Sequence, residues 1–157
     1  MIEVGAARAL LSQWWITYDE AEFDQFESML HPDVTFESRS DSGKAPNEAQ
    51  LAGKAAGRTA VLAWQVDHRK AGPFPLRHQV TNFYLVTAGA SEAEFRSTLL
   101  VSKVGESGIV MMSSGLVSGV MRLDEGALKI ARLQVVLDKT PSRPLRDVLA
   151  DSAGASV

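Results

Sequence analysis

Two stretches of the sequence carry side chains able to move protons. In residues 75–85, PLRHQVTNFYL, polar and apolar positions alternate with the period of a β-strand, and His78 sits at the centre of the alternation. In residues 18–26, YDEAEFDQF, the carboxylates Asp19, Glu20, Glu22 and Asp24 crowd the end of an amphipathic segment. Histidine titrates nearest neutral pH, so an imidazole held beside a carboxylate in apolar surroundings suits general acid–base chemistry. Period-two alternation puts Leu76, His78, Val80, Asn82, Tyr84 and Val86 on one strand face, and Arg77, Gln79, Thr81, Phe83 and Leu85 on the other. The face holding His78 is the more apolar and is the one expected to meet helices. A polar group buried there without a partner costs about 1–3 kcal/mol, so His78, Asn82 and Tyr84 need partners or a ligand. The plain alternative for His78 is a core histidine hydrogen-bonded to a neighbouring strand or helix.

Among the four carboxylates, Asp19 is the candidate partner. It follows Tyr18, lies one helical turn after Trp15 and two after Leu11, and so extends their apolar stripe toward the mouth of a pocket. Glu20, Glu22 and Asp24 are expected to face water, and the alternative for Asp19 is an acidic helix end without a role.

These side chains need elements to hold them. Residues 3–19 place Ala7, Leu11, Trp14, Trp15 and Tyr18 at helical spacing. Residues 22–30 repeat Phe23, Phe26 and Leu30 on one face, and HPD at 31–33 stops that second helix. VTFES at 34–38 reads as a short strand, and the polar residues 39–48, with Gly43 and Pro46, as a loop. A longer helix is expected over 49–70, closed by AGPFP at 71–75. Strand patterns then run over 76–87, 93–104, 109–123 and 127–138, with DEG at 124–126 as the turn of an antiparallel hairpin. Helices segregated from strands in this way predict an α+β fold: a curved, mixed sheet of about five strands with three N-terminal helices on one face. One domain is expected over residues 1–139. The remainder, 140–157, reads as a partly flexible tail with a short helix near Leu145 to Leu149 and fraying beyond it.

Composition narrows the function. The 157 residues fit one core, and 45% apolar with 22% charged residues is ordinary for a globular protein. A net charge of −3 with only short basic runs argues against nucleic acid as a partner. The absence of cysteine removes disulfides, thiolate zinc sites and cysteine nucleophiles, and fits a cytoplasmic setting. The N-terminal residues lack a secretory pattern, and no run approaches the roughly 18–20 apolar residues needed to cross a bilayer, so no membrane association is expected.

Other motifs carry less. GKAAGRT at 53–59 has Ala55 where a phosphate loop needs Ser or Thr after the lysine, and reads as helix. His31, His68 and His78 lack metal-ligand spacing, with His31 in an expected turn, so no metal site is predicted. Gly115 and Gly119 are expected to relieve sheet curvature or mark a bulge. No Gly-x-Ser-x-Gly elbow occurs.

Three stretches together, WWITYDEAEFDQFESMLHPDVTF, LRHQVTNFYL and VMRLDEGALKIARLQVVLD, resemble the SnoaL-like branch of the nuclear-transport-factor-two-like superfamily over about residues 5–138. The resemblance implies a cone-shaped α+β barrel in which a bent sheet wraps around three helices and encloses an apolar pocket. Around Tyr18, Asp19, Glu22, Phe23 and His78 the chain is similar to scytalone and bile-acid dehydratases, where the matching Asp and His form an acid–base dyad and the tyrosine polarises the substrate carbonyl or a water. It also resembles the small (β) subunits of aromatic-ring-hydroxylating dioxygenases through RHQVTN, FRSTLLVSK and LKIARLQVVLD; those subunits are largely structural. The chain departs from the fungal dehydratase at 109–123, where a second catalytic histidine is expected and only Met111, Met112, Ser113 and Ser114 stand near the place.

The resulting expectation is a dehydratase or isomerase that needs no cofactor and acts on a small apolar cyclic molecule such as a polyketide, steroid or aromatic catabolite. Asp19, His78 and Tyr18 are its catalytic candidates, and Trp15, Trp64, Asn82, Tyr84, Arg96, Met112 and Arg132 its substrate-binding candidates. Trp14 and Phe83 are further aromatic candidates for the pocket lining, and ordinary core is the alternative for all of these aromatics. Arg96 and Arg132 could stabilise an enolate, Arg132 by sharing a strand face with Leu128 and Ile130. A dimer or trimer is the expected assembly. The alternative is a ligand-binding module, or a β subunit whose partner is the dioxygenase large subunit.

Overall fold

Helix α1 (Val4–Asp19) forms where the three- and four-residue spacing of apolar side chains demands it, burying Ala7, Leu10, Leu11, Trp14, Trp15 and Tyr18. The structure, a computed structural model, describes residues 1–154, with side chains through residue 151. After α1 come α2 (Phe23–Ser28), β1 (Leu30–Ser40), α3 (Glu48–Leu51), β2 (Gly53–Ala56), α4 (Arg58–Ala71), β3 (Leu76–Ala88), β4 (Glu92–Gly105), β5 (Gly108–Asp124), β6 (Ala127–Leu137) and α5 (Leu145–Gly154). The strands make one sheet in the order β2-β1-β6-β5-β4-β3. Only β1 and β6 pair in parallel; the other neighbours are antiparallel. Mixed α+β architecture is therefore as expected, but the sheet is open, with β2 and β3 as its edges, and does not close into a barrel.

Register shifts in β1, in β3, at Met112 of β5 and opposite Val120/Met121 bend the strands, since each bulge adds local twist. The helices lie against one side, α1 chiefly on β3 and α4 on β1 and β2. Between them sits the core, where Trp14 packs on Phe26 at 4.3 Å and Phe95, Leu99, Met121 and Leu133 close the sheet side. Phe83 packs on Phe95 at 5.6 Å, so Trp14 and Phe83 belong to this core.

Four features differ from the sequence expectation. The stretch 49–70 is not one helix but a short turn of helix, an edge strand and α4, because two glycines break it. Gly57 takes φ +84°, a left-handed conformation closed to most residues, and Gly53 lies under Trp64, whose ring leaves no room for a Cβ. GKAAGRT thus starts as the sixth strand, which five-strand counting misses. Second, β1 begins at Leu30, and His31 is a buried strand residue, not part of a turn.

Third, β3 does not keep one alternation. A bulge between Thr81 and Tyr84 places Asn82 at φ +53° and reverses the faces beyond it. Phe83 is consequently buried, while Tyr84 is 50% exposed. Fourth, the irregularity opposite Val120/Met121 buries Ile130 and Ala131 in succession and turns Arg132 outward, away from the face of Ile130.

The glycines of β5 answer close approach: a Cβ at Gly119 would meet the Arg132 carbonyl at 2.2 Å and the Phe95 ring at 2.8 Å. The 124–126 turn joins β5 to β6 as expected, with Glu125 and Gly126 both at positive φ, the conformation a two-residue hairpin needs. α5 reaches Gly154, longer than the expected helix; the expected fraying at 155–157 lies outside the described residues.

Candidate active site

The last turn of α1 and the start of β3 meet at Asp19 and His78. Asp19 is 1% exposed, and both its oxygens are used on one residue: the His78 backbone N–H donates to Oδ2 at 2.7 Å, and the imidazole Nδ1 lies 2.6 Å from Oδ1. A carboxylate only accepts, so the proton of this contact belongs to Nδ1, and Nε2 is the nitrogen left for other work. Trp15, one turn before Asp19, stacks on the imidazole at 4.4 Å and 10°, and Tyr18 meets its face edge-on at 5.3 Å. Ring plane and tautomer are thus both set by α1.

Arg69 of α4 holds the helix end. Its Nε donates to the carbonyls of Tyr18 and Asp19, both at 3.1 Å, and its Nη2 to Asp19 at 2.8 Å; Nη1 reaches the Pro73 carbonyl at 3.0 Å. The first two carbonyls lie at the C-terminus of α1, where the Tyr18 carbonyl also accepts from the Ala21 N–H and a cation complements the dipole. Arg69 is 4% exposed, so it fixes the place of Asp19 from inside the protein.

Tyr18 turns its hydroxyl to His68 of α4, 2.6 Å from Nδ1. Burial pushes the Tyr18 phenol well above its ordinary range; Arg69 opposes this and Asp19 adds to it, so the group stays protonated. His68 stacks on Trp64 at 4.6 Å and 13°. Its partial burial lowers its pKa, against a hydrogen bond with the Gln50 backbone that raises it, while His78 and Arg69 lower it further.

One cavity of about 500 Å³ lies against this cluster, with Asp19 and Arg69 behind its wall. Trp15, Tyr18, Trp64, His68 and His78 form its helix side and upper wall, while Phe36, Leu99, Val101, Val135 and Leu137 form an apolar sheet side. Asn47, Gln50, Ser113 and Lys139 add polar groups. Gln65, 3% exposed, lines the wall with an amide nitrogen that has no partner among the described residues. A drug-sized, largely apolar molecule fits such a space.

Of the residues singled out from sequence, the cavity brings together Tyr18, Asp19, His78, Trp15, Trp64 and Met112, Asp19 behind His78 and the others on the lining. It does not include Asn82, Tyr84, Arg96 or Arg132. The β3 bulge turns Asn82 and Tyr84 away, and the Asn82 amide donates to Thr98 instead. Arg96 and Arg132 border a separate polar hollow on the opposite sheet face, where Arg132 pairs with Glu94 at 3.2 Å. An enolate in the cavity is therefore out of their reach.

His68, Arg69 and Gln65 were not singled out. A signal for His68 existed: Trp64 and His68 are four apart on a helix, the spacing that shares a face. Its partner Tyr18 lies 50 residues earlier, and no local pattern reports that. Among the described residues no three His, Cys, Asp or Glu side chains converge as metal ligands, and no helix is long and apolar enough to cross a membrane.

Three solved structures from Novosphingobium aromaticivorans are similar in fold. A nuclear-transport-factor-two-like protein with a cystatin-like fold superposes with a TM-score of 0.69 at 16% identity, covering 92% of this chain and 87% of that one. A candidate scytalone dehydratase gives 0.67 at 16% identity over 88% of this chain and 86% of that one. The β subunit of a candidate aromatic-ring-hydroxylating dioxygenase gives 0.68 at 12% identity over 88% and 91%. No protein with a curated description matches the sequence. The family model of the SnoaL-like domain matches residues 3–134, nearly the whole folded part of the chain, and the protein belongs to that family.

Proposed function

We propose that the cavity is the active site of a dehydratase or isomerase that moves protons without a cofactor on a small, mostly apolar cyclic molecule bearing a carbonyl. The observation that carries this reading is the His78 imidazole, held through Nδ1 by buried Asp19 and stacked on Trp15, on the wall of an apolar cavity. With Nδ1–H directed to Asp19, neutral Nε2 is a base. It takes the proton from the carbon next to the carbonyl, the C–H pair passes into the enolate, and the imidazolium that forms is stabilised by Asp19. The same proton returns to a leaving hydroxyl as water departs, or to a distant carbon when the double bond migrates. Tyr18, on the cavity wall beside His78, donates to the carbonyl oxygen as it gains charge once its hydroxyl turns from His68 toward the cavity. The likeness in fold to a candidate scytalone dehydratase supports the reaction class.

The probe for this reading is α-tetralone, a bicyclic ketone, in deuterium oxide. The protein is expected to speed exchange of the protons beside the carbonyl, and His78→Gln to lose that acceleration by on the order of a hundredfold or more. Equal exchange in the variant and the parent would remove His78 as the base.

A second reading is a small subunit without chemistry of its own. It is favoured by the fold likeness to a dioxygenase β subunit and by exposed apolar side chains along the outer sheet and strand ends, among them Leu116 at 60% and Met111 at 55%. It predicts no exchange activity and a stable complex with an iron–sulfur large subunit.

A further inference from the structure

The strand position where a second histidine is expected holds none, yet a second imidazole borders the same cavity from α4. His68 lies 2.6 Å through Nδ1 from the Tyr18 hydroxyl, and the rings of His68 and His78 stand 6.3 and 5.3 Å from the Tyr18 ring. Tyr18 thus stands between two imidazoles, each backed by an indole: Trp64 behind His68 and Trp15 behind His78.

We propose that His68 is a positioning residue that sets whether the Tyr18 hydroxyl donates into the cavity or is turned away from it. This rests on the reading of the cavity as a proton-transfer site and adds a second, separately titrating group to it. In neutral His68 with its proton on Nε2, Nδ1 accepts, the Tyr18 O–H points at it, and the cavity sees only phenol lone pairs. In the imidazolium both nitrogens carry protons, so Nδ1–H donates to the Tyr18 oxygen. The phenol proton is then released toward the cavity, where a carbonyl oxygen can take it as a hydrogen bond. No proton is lost or created at Tyr18; one is gained by His68 from solvent, through its exposed edge.

The groups facing His68 come from four elements. Tyr18 lies on α1, His78 on β3, and Arg69 and Trp64 on α4 itself; the Gln50 backbone of α3 adds a hydrogen bond. Partial burial, with His78 and the Arg69 guanidinium close by, holds the imidazole neutral to lower pH than usual, against the Gln50 bond. The donating state of Tyr18 consequently belongs to the mildly acidic side of the histidine range, below about pH 6.5.

The chain has two tyrosines, Tyr18 and exposed Tyr84, so labelling tyrosine at the ring carbon bearing the oxygen gives two resonances, one of them an internal control. Titrating the free full chain between about pH 5 and 8 should move the Tyr18 resonance in one step, with the midpoint of the His68 ring, while Tyr84 stays still. His68→Gln should abolish the step and His78→Gln should keep it. A Tyr18 resonance that ignores the His68 midpoint in the parent chain overturns the proposal without any variant, as does a step that survives in His68→Gln. Ketone exchange is read separately. Exchange lost with an intact Tyr18 step defeats the enzyme reading alone, and exchange present with no step defeats this one alone.

Discussion

His78 can act as a base at Nε2 because Asp19 dictates where its proton sits. Replacing Asp19 by Asn keeps the shape but offers an amide, which can donate to Nδ1 and drive the proton to Nε2. Asp19→Asn is therefore expected to leave the fold in place and to cut ketone exchange by on the order of a hundredfold or more, with the tautomer change visible in the imidazole nitrogen resonances. An unchanged tautomer would break the link between the two residues. His68 has its own pH signature. The fold lowers its pKa, so the unfolded chain binds its proton more readily, and stability rises with pH from the lowered value up to about 6.5. Denaturation of His68→Gln across that window should show a shallower rise than the parent. The pairing of Asp19 with His78 is legible in the sequence, because each lies on an apolar face near an element end. The roles of His68 and Arg69 are not, because both partners sit on α1 and the sequence carries no mark of which helices touch.

At the scale of elements, two glycines and one bulge decide what faces the cavity. Gly53 passes beneath Trp64, with space for a Cβ lacking by more than an ångström, so Gly53→Ala must push the indole out of the wall. Overpacking of this kind costs about 1–3 kcal/mol, and a loss of that size in denaturant midpoint, with altered tryptophan emission, is expected. Trp14 is fully buried against Phe26, and Trp14→Ala should cost about 3–5 kcal/mol, by the same measurement. The spacing of α1, the hairpin after β5 and the long strands of the second half are all readable, since each follows a sustained period. Beyond Thr81 the reading of β3 fails, because one extra residue in a strand reverses the side chains that follow it up to the next shift at Leu85/Thr87, and a left-handed Asn in mid-strand leaves no mark in the alternation. The same physics sends Arg132 to the outer face. The split of 49–70 fails for a different reason: alanines and leucines at helical spacing outweigh Gly53 and Gly57 in any periodic reading, while the packing of Trp64 and the edge of β1 decide in favour of a strand.

The whole molecule is a mixed sheet left open, with helices closing one side to make a cavity and the other side bare. Its chain end is tied back by Asp41, whose carboxylate accepts from the Lys139 and Thr140 backbone at 3.1–3.2 Å. Loss of solvent is the largest single influence on Asp41 and acts against ionisation, but the bonds from Thr140, Lys139 and Ser42 together outweigh it and lower the pKa. That contribution to stability is present above the ordinary carboxylate range and is lost as pH falls through the lowered value. Asp41→Asn should thus be slightly less stable near neutrality and converge with the parent in acid, as thermal melts across pH would record. Family and fold class follow from the order of helices and strands, which the whole chain displays. The chemistry rests on a single pair at one end of the cavity. A crystal structure of the chain with α-tetralone bound tests that pair most directly. The ketone is expected inside the cavity, with the carbon beside its carbonyl at His78 Nε2 and the carbonyl oxygen toward Tyr18; a ketone seated on the outer sheet face, or with its carbonyl end away from His78, would remove His78 as the base.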